Sequence, residues 1–367
     1  MSVVTRVLGA LLAPLVAVVA AMLITSLVIL ASGGSPGEFW SIILSAPADR
    51  VYVNIVNQTS MIFLSAIAAA IGFRMNLFNI GVEGQYQIAS YSAAVVVGAA
   101  ILPGFLNVLL GLVVAMLVGS LWAGIAGVLR VTRGVSEVIS TIMLNAIALT
   151  LVGYFLNTYG LEAGNSRRTT EIPESSQLSG WTPFLDRDGS IWTLCILAVI
   201  VGVAFSFVLN RTSFGFDLRA TGMSETAAVA SGVKVGRMVV IAMLLSGAVA
   251  GLIWMPAFFG AAHTYGSTFQ FGLGFMGIAV ALLGRNRPLG IVFGAVLFAF
   301  LNEQSNRLTL ETDISQNVVQ ITQGVIVLAV VVAYEVVRRR QVAAEQNRVR
   351  RELDASRAGA ADAAVGA

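Results

Sequence analysis

About ten apolar runs, separated by short turns that carry most of the charge, constrain this chain more than any other feature. They lie near residues 7–31, 52–73, 80–101, 108–129, 135–156, 190–209, 238–260, 267–284, 288–303 and 315–337. A helix crosses the roughly 30 Å of bilayer hydrocarbon in about 20 residues, and lipid cannot satisfy an exposed backbone. The pattern therefore predicts an all-α polytopic membrane protein of about ten spans. Residues 1–340 form the transmembrane domain, and 341–367 a cytosolic tail that starts as a helical continuation and ends disordered. The third and eighth runs are rich in glycine and polar residues, which suits broken or re-entrant helices. The first run is longer than the apolar core of a signal peptide, about 7–15 residues, and is read as a retained span.

Composition agrees. The chain is 57% hydrophobic and 11% charged, with a mean hydropathy of +0.85, whereas soluble domains carry about 25% charged residues. Its surroundings are read as a lipid bilayer. The pI near 9.3 does not indicate nucleic acid, because the basic residues sit in short turns and make no stripe. Arg6, Arg74, Arg130, Arg133, Arg211, Arg219, Lys234, Arg237, Arg285, Arg287 and Arg338 to Arg340 fall on one side of the span pattern. Only Arg50, Arg167, Arg168, Arg187 and Arg307 fall on the other, where acidic residues including Glu303 and Glu311 gather in loops. The positive-inside rule then puts both termini in the cytoplasm.

Several chemistries are disfavoured. Cys195 is the only cysteine and His263 the only histidine, so neither an intrachain disulfide nor a histidine-pair zinc site can form. Lys234 is the only lysine and no GxxxxGK[ST] loop is present. No metal site is expected, no catalytic residue is assigned, and any ATP-driven work requires another chain.

The most unusual stretch runs from Gly72 to Gln87 and sets Asn76, Asn79, Glu83, Gln85 and Gln87 beside long apolar runs. A carboxylate and amides at membrane depth are costly unless they pair or line a polar cavity. Two readings stand: a broken helix at the edge of a translocation path, or an interfacial turn in which Glu83 caps a helix start or pairs with Arg74. Glu137, Thr141 and Asn145 share one helical face at i, i+4, i+8. Asn57 and Gln58 mark the outer end of the second span. Asn302, Glu303, Gln304 and Asn306 end the ninth, and Gln316, Asn317, Gln320 and Gln323 begin the tenth. Such amides suit a neutral hydroxylated or heterocyclic solute better than an ion. The path candidates are Asn57, Gln58, Asn79, Glu83, Gln85, Gln87, Asn145 and Asn302, against a background in which amides often only join helices.

Gly247 and Gly251, and Gly290 and Gly294, have the small-xxx-small spacing that lets helices approach closely in lipid. Two loops are long. The outer one, 157–189, mixes charge, proline and aromatics and suits a small cap or partner surface. In the inner one, 210–237, Ser224 is placed to cap a short helix from Glu225 to Ala230, and Gly232 to end it. That helix either docks on a partner or simply connects two spans.

Four blocks together resemble the permease subunits of bacterial ABC importers for simple sugars, nucleosides and branched-chain amino acids, nucleoside-type permeases above all. The blocks are Asn76–Gln85, Glu137–Asn145, Phe214–Gly232 and Gly274–Gly284, within a resemblance from about Asn54 to Arg338. The resemblance implies the ABC importer permease fold in the bacterial inner membrane. It also implies a second permease subunit, the same or homologous, and cytosolic ABC ATPase subunits carrying ATP and magnesium. An extracytoplasmic solute-binding protein would deliver a nucleoside or sugar. It further implies that Ser224 to Ser231, with Glu225 and Ala228, contacts the ATPase as a coupling helix, with Gly222 and Gly232 as hinges. The remaining alternatives are a permease for ribose or another simple sugar, and an ion-coupled secondary transporter.

Overall fold

The computed structural model describes residues 19–31, 33–47, 49–182, 189–312 and 317–329, and residues 332, 336, 339 and 346. Residues 7–18 of the first run, loop residues 183–188, the start of the tenth run at 315–316 and nearly all of the tail lie outside the described residues. The chain divides into two compact units, one of Met1–Phe39 with Asp313–Ala367 and the other of Trp40–Thr312. The described helices of the first are α1, Val19–Ala31, and α14, Asn317–Ala329.

The second unit holds the transmembrane core. After α2 (Pro36–Ile43) come α3 (Asp49–Phe73), α4 (Val82–Gly98), α5 (Gly104–Arg133) and α6 (Glu137–Tyr159). A small hairpin of β1 (Leu161–Ala163) and antiparallel β2 (Ser166–Arg168) follows, with Leu161 opposite Arg168. Then come α7 (Ile196–Arg211), α8 (Ser213–Met223), α9 (Glu225–Ala230), α10 (Val235–Gly251), α11 (Met255–Ala257), α12 (Leu273–Leu283) and α13 (Pro288–Glu311).

Six helical stretches are long and apolar enough to cross a membrane: Arg50–Phe73, Gly104–Arg133, Glu137–Tyr159, Thr193–Arg211, Val235–Ala262 and Pro288–Leu308. The expectation of about ten spans is thus supported as a polytopic helical protein with six long spans among the described residues. The third run becomes α4, 17 residues long, and the eighth becomes α12, only 11. Both pack against neighbouring helices. α4 is buried along most of its length, and α12 packs on α3, where Ser65 Oγ donates to the Leu273 carbonyl at 2.8 Å. α12 buries one face, including Leu273, Gly277 and Val280, and leaves Phe275 and Leu282 exposed; a helix packed largely on protein has less need of the length that lipid demands. Burial follows the same division: 78% of the apolar window of α3 is buried, against 22% for the stretch that contains α7.

The glycine pairs do what their spacing suggests. A Cβ on Gly247 would meet the Gly119 carbonyl and Ala123, and one on Gly251 would meet the Ala115 carbonyl, so α5 and α10 touch backbone to backbone. Gly290 lies against Gly284 in the tight α12–α13 turn, and Gly294 faces Val280. The described part of the 157–189 loop forms a cap. Thr169 and Ile172 donate N–H bonds to the carbonyls of Tyr265 and His263, and Leu178 to that of Phe259.

One expectation is overturned. The ninth run does not end at Asn302–Gln304. α13 continues to Glu311, so Glu303 lies within a helix and is buried rather than in a loop. Gln304 is also buried, and its Nε2 donates to the carbonyls of Ile42 (3.0 Å), Ile43 (3.3 Å) and Ser45 (3.0 Å), tying α13 to the end of α2.

Candidate functional site

The sequence-predicted polar residues fall into three places. The first is the turn between α3 and α4 with the start of α4, where Asn79, Glu83, Gln85 and Gln87 are all buried. Asn79 and Gln85 form a reciprocal amide pair, Asn79 Nδ2 to Gln85 Oε1 at 3.0 Å and Gln85 Nε2 to Asn79 Oδ1 at 2.8 Å. Asn79 Nδ2 also donates to Ser246 Oγ of α10 at 2.8 Å, and Ser246 donates to the Ala68 carbonyl of α3 at 2.6 Å. Three helices are joined through one amide.

Asn145 does a related job from α6. Its Oδ1 accepts the Gly84 N–H at 2.8 Å and its Nδ2 donates to the Ile80 carbonyl at 2.9 Å. Gly84 stands in the first turn of α4, where N–H groups have no partner inside the helix. The N-cap residue Gly81 has no side chain to accept that N–H, so Asn145 supplies the missing acceptor from the neighbouring helix.

The carboxylate of Glu83 is held between α4 and α12. Its Oε1 accepts the Gly272 N–H at 2.8 Å and its Oε2 the Gly274 N–H at 2.9 Å. These are orphan donors at the start of α12, where the helix dipole also favours a negative charge. Tyr86 Oη and Gln87 Nε2 add donors at 3.2 and 3.1 Å. Glu83 therefore caps a helix start, that of α12, and it does not pair with Arg74. The Arg74 guanidinium instead grips the Asn286 carbonyl with Nε at 2.9 Å and Nη2 at 2.7 Å. Two buried acceptors on α4, Gln87 Oε1 and Ser90 Oγ, have no partner among the described residues.

The second place joins α3, α12 and α13. Glu303 accepts from Asn54 Nδ2 at 3.2 Å and from Gln58 Nε2 at 2.5 Å. Asn302 Nδ2 lies 3.4 Å from Gln58 Oε1 and 3.5 Å from Met276 Sδ. Asn57, although next to Gln58, serves another neighbour. Its Nδ2 donates to the Ser190 carbonyl at 3.0 Å, and its Oδ1 accepts the Trp192 N–H at 3.0 Å, pinning the segment that leads into α7. Asn54 and Glu303 were not among the sequence-based site candidates. The signal available for Asn54 was its i, i+4 spacing from Gln58.

The third place is the end of the bundle where α3, α5 and α12 finish. Ser224 Oγ accepts the Ala227 N–H at 3.3 Å and so caps α9, Ala228 is buried, and Gly232 follows with φ +89°. Glu225 meets Arg130 of α5 at 3.2 Å, Arg130 pairs with Glu137 of α6, and Glu137 Oε1 accepts the Phe78 N–H at 3.3 Å. Gly222 lies so close to the Arg74 carbonyl that a Cβ would collide with it. The short helix α9 is thus linked to the α3–α4 turn by an ionic chain, and the preceding α8 touches that turn directly through the Gly222 backbone. Burial, and then the guanidiniums of Arg287 and Arg219, hold the Arg74 pKa below its ordinary value, a sign of concentrated positive charge at this end.

Nothing in these places is arranged for covalent chemistry. Among the described residues no three His, Cys, Asp or Glu side chains are placed to hold a metal. A groove of about 690 Å³ between α3, α7 and α13 is lined mostly by apolar residues such as Phe63, Val203 and Val292, with Thr59, Ser60 and Ser206 among them, and none of the path candidates lines it.

Comparison with known proteins adds the family. The model of a family described as the permease component of branched-chain amino acid transport systems matches residues 51–333. The chain belongs to that permease family. It is 34% identical over 343 residues to the guanosine ABC transporter permease NupP of Bacillus subtilis, covering 90% of this chain and 95% of that one. It is 29% identical to the nucleoside ABC transporter permease NupB of Lactococcus lactis (88% and 91% covered). It is 25% identical to the glucose ABC transporter permease TsgB13 of Haloferax volcanii (86% and 85% covered). Among solved structures, PsaBC from Streptococcus pneumoniae in complex with Fab matches with a TM-score of 0.40 and 15% identity, over 78% of this chain and 90% of that one. This permease is the transmembrane component of an ABC-type importer, a translocation subunit homologous to nucleoside-type permeases.

Proposed function

We propose that the chain forms half of the membrane core of a binding-protein-dependent importer for nucleosides, with both termini cytosolic and α9 as the contact for a partner ATPase. The observation that carries the coupling part is the chain Glu225–Arg130–Glu137–Phe78, which ties an exposed six-residue helix to the turn that holds Asn79 and Glu83. ATP and magnesium act on the partner. Closing of the ATPases would push α9, and through Arg130 and Gly222 the α3–α4 turn, shifting the bundle between two packed states. A second permease, the same or homologous, completes the path. The solute-binding protein docks on the outer loops, with the cap at 157–182 among them.

The nucleoside reading rests on the similarity to permeases named for guanosine and for nucleosides, and on the amides that line α3 and α13. Transport of a simple sugar is the second reading, favoured by the relative named for glucose. Reconstitution with the cognate ATPase and binding protein, followed by competition of uptake with nucleosides and sugars, decides between them. Competition by sugars alone would reject the nucleoside reading. Unchanged ATP-dependent uptake after disruption of α9 would reject the coupling role.

A further inference from the structure

Glu303 is the polar group whose position is hardest to account for by packing. It lies in the span Pro288–Leu308, only 7% exposed, and none of the ion pairs among the described residues reaches it. Two amide donors, from Asn54 and Gln58, meet the carboxylate. A carboxylate inside a membrane span is expensive without a cation, and such groups face a water-filled cavity or a partner, not lipid. The surroundings agree. Asn54 is exposed, Gln58 and Asn302 are half-buried, and Met276 lies beside Asn302. The cluster therefore reaches the surface of the chain at Asn54.

We propose that Glu303, Asn54, Gln58 and Asn302 form a solute-binding station in the translocation path, built to take a vicinal diol such as that of a ribose. This rests on the importer reading above and names the part of the solute that this site reads. A hydroxyl donates one hydrogen bond and accepts others, whereas a carboxylate only accepts and an amide nitrogen only donates. Two neighbouring hydroxyls can each donate to one Glu303 oxygen while their own oxygens accept from Asn54 Nδ2 and Gln58 Nε2. Those are the donors that now close on the carboxylate, so solute would replace an internal bond with an equivalent one. Acidic side chains read ribose hydroxyls in the same way in dinucleotide-binding folds. Asn302 holds the Gln58 amide with its oxygen turned from the carboxylate and its nitrogen toward it. That orientation suits hydroxyls and opposes a metal cation, which would want the amide oxygens.

The test uses the complete importer in proteoliposomes and compares inhibition of uptake by a ribonucleoside and by its 2′,3′-dideoxy analogue. Sites built to hydrogen-bond a hydroxyl strongly reject an analogue lacking it. Glu303→Gln and, at the exposed edge, Asn54→Ala are each expected to narrow the wild-type preference for the ribonucleoside by about tenfold or more. The binding protein is the same in every assay, so a changed ratio belongs to the permease. A purely structural role would lower uptake of both solutes equally and leave the ratio intact. An unchanged ratio in both variants overturns the proposal, as does sodium-dependent uptake that Glu303→Gln abolishes, which would make the site a cation site. If the wild type carries sugars and no nucleoside, the nucleoside reading fails separately. The same ratio, read with a sugar and its deoxy analogue, then judges the diol site.

Discussion

Replacing Glu83 separates a structural cap from a solute ligand. In Glu83→Gln the side chain keeps its shape and one acceptor oxygen. The new amide nitrogen faces either the Gly274 N–H or the Gly272 N–H, so one buried donor at the start of α12 loses its partner. An unsatisfied buried donor costs roughly 1–3 kcal/mol. Loss of the negative charge at a helix N-terminus adds about 0.3–1 kcal/mol or more. Interactions of this kind measure toward the low end in membranes, where the unfolded reference also finds partners. The expected loss is therefore about 1–3 kcal/mol for Glu83→Gln. For Glu83→Ala, which leaves both glycine N–H groups and Gln87 Nε2 without their acceptor, it is larger, roughly 3–5 kcal/mol. Thermal or denaturant unfolding of the detergent-solubilised permease reads both. Activity should track stability, with transport per folded molecule falling little for Glu83→Gln. Wild-type stability in Glu83→Ala would refute the cap. Wild-type stability in Glu83→Gln with transport abolished would return Glu83 to the solute path.

Glu225→Gln breaks an ion pair whose carboxylate is 56% exposed, so stability should change by under about 1 kcal/mol, while transport per ATP hydrolysed falls several-fold in the reconstituted importer. Glu137 is only 6% exposed. Glu137→Gln should cost more, about 1–3 kcal/mol, in the same unfolding measurement. Gly247→Ala drives a methyl into the Gly119 backbone and is expected to destabilise by about 1–3 kcal/mol, whereas Gly153→Ala meets nothing within 4 Å and should be neutral or slightly stabilising. Equal effects at the two glycines would refute the close-contact account of α5 and α10. Ser90→Ala removes a buried hydroxyl without a partner and should leave stability equal or up to about 1 kcal/mol higher. A clear loss would mean that the hydroxyl is bonded.

Much of this was legible in the sequence where the cause is local. The Ser224 cap and the Gly232 stop bound α9 because both act within a few residues of the helix they limit. The spacing of Gly247 and Gly251 foretold a close helix contact, although not with Ala115, Gly119 and Ala123. Apolar length alone could not fix α4 and α12, which their glycines and polar residues had marked as broken or re-entrant and which are 17 and 11 residues long, because the 20-residue rule measures a helix against lipid and these pack largely on other helices. It also cut α13 short at residue 303, where the helix runs on to Glu311. A charged residue normally marks the exit from a membrane, but Asn54 and Gln58, about 245 residues earlier, keep Glu303 inside. The polar block of α4 stood out as unusual, yet its meaning depended on Ser246, Asn145, Gly272 and Gly274, partners that no local pattern could name.

Those partners bear on where solute chemistry can reside. A buried polar group with all its donors and acceptors engaged cannot bind a passing molecule without first giving up what it has, at a cost of about 1–3 kcal/mol for each group left open. Asn79, Gln85 and Glu83 are buried and bonded in this sense, half-buried Asn145 is bonded on both sides of its amide, and each joins neighbouring elements of the bundle. Their bonds fasten the α3–α4 turn and the start of α4 to α6, α10 and α12. Groups at the edge of an opening can exchange internal partners for solute at little net cost. Asn54, Gln58 and Glu303 meet that condition, because each amide–carboxylate bond can be replaced by an amide–hydroxyl and a hydroxyl–carboxylate bond. On this reasoning the residues most conspicuous in the sequence hold the bundle together, and the proposed solute contacts fall on the less conspicuous Asn54 and Glu303.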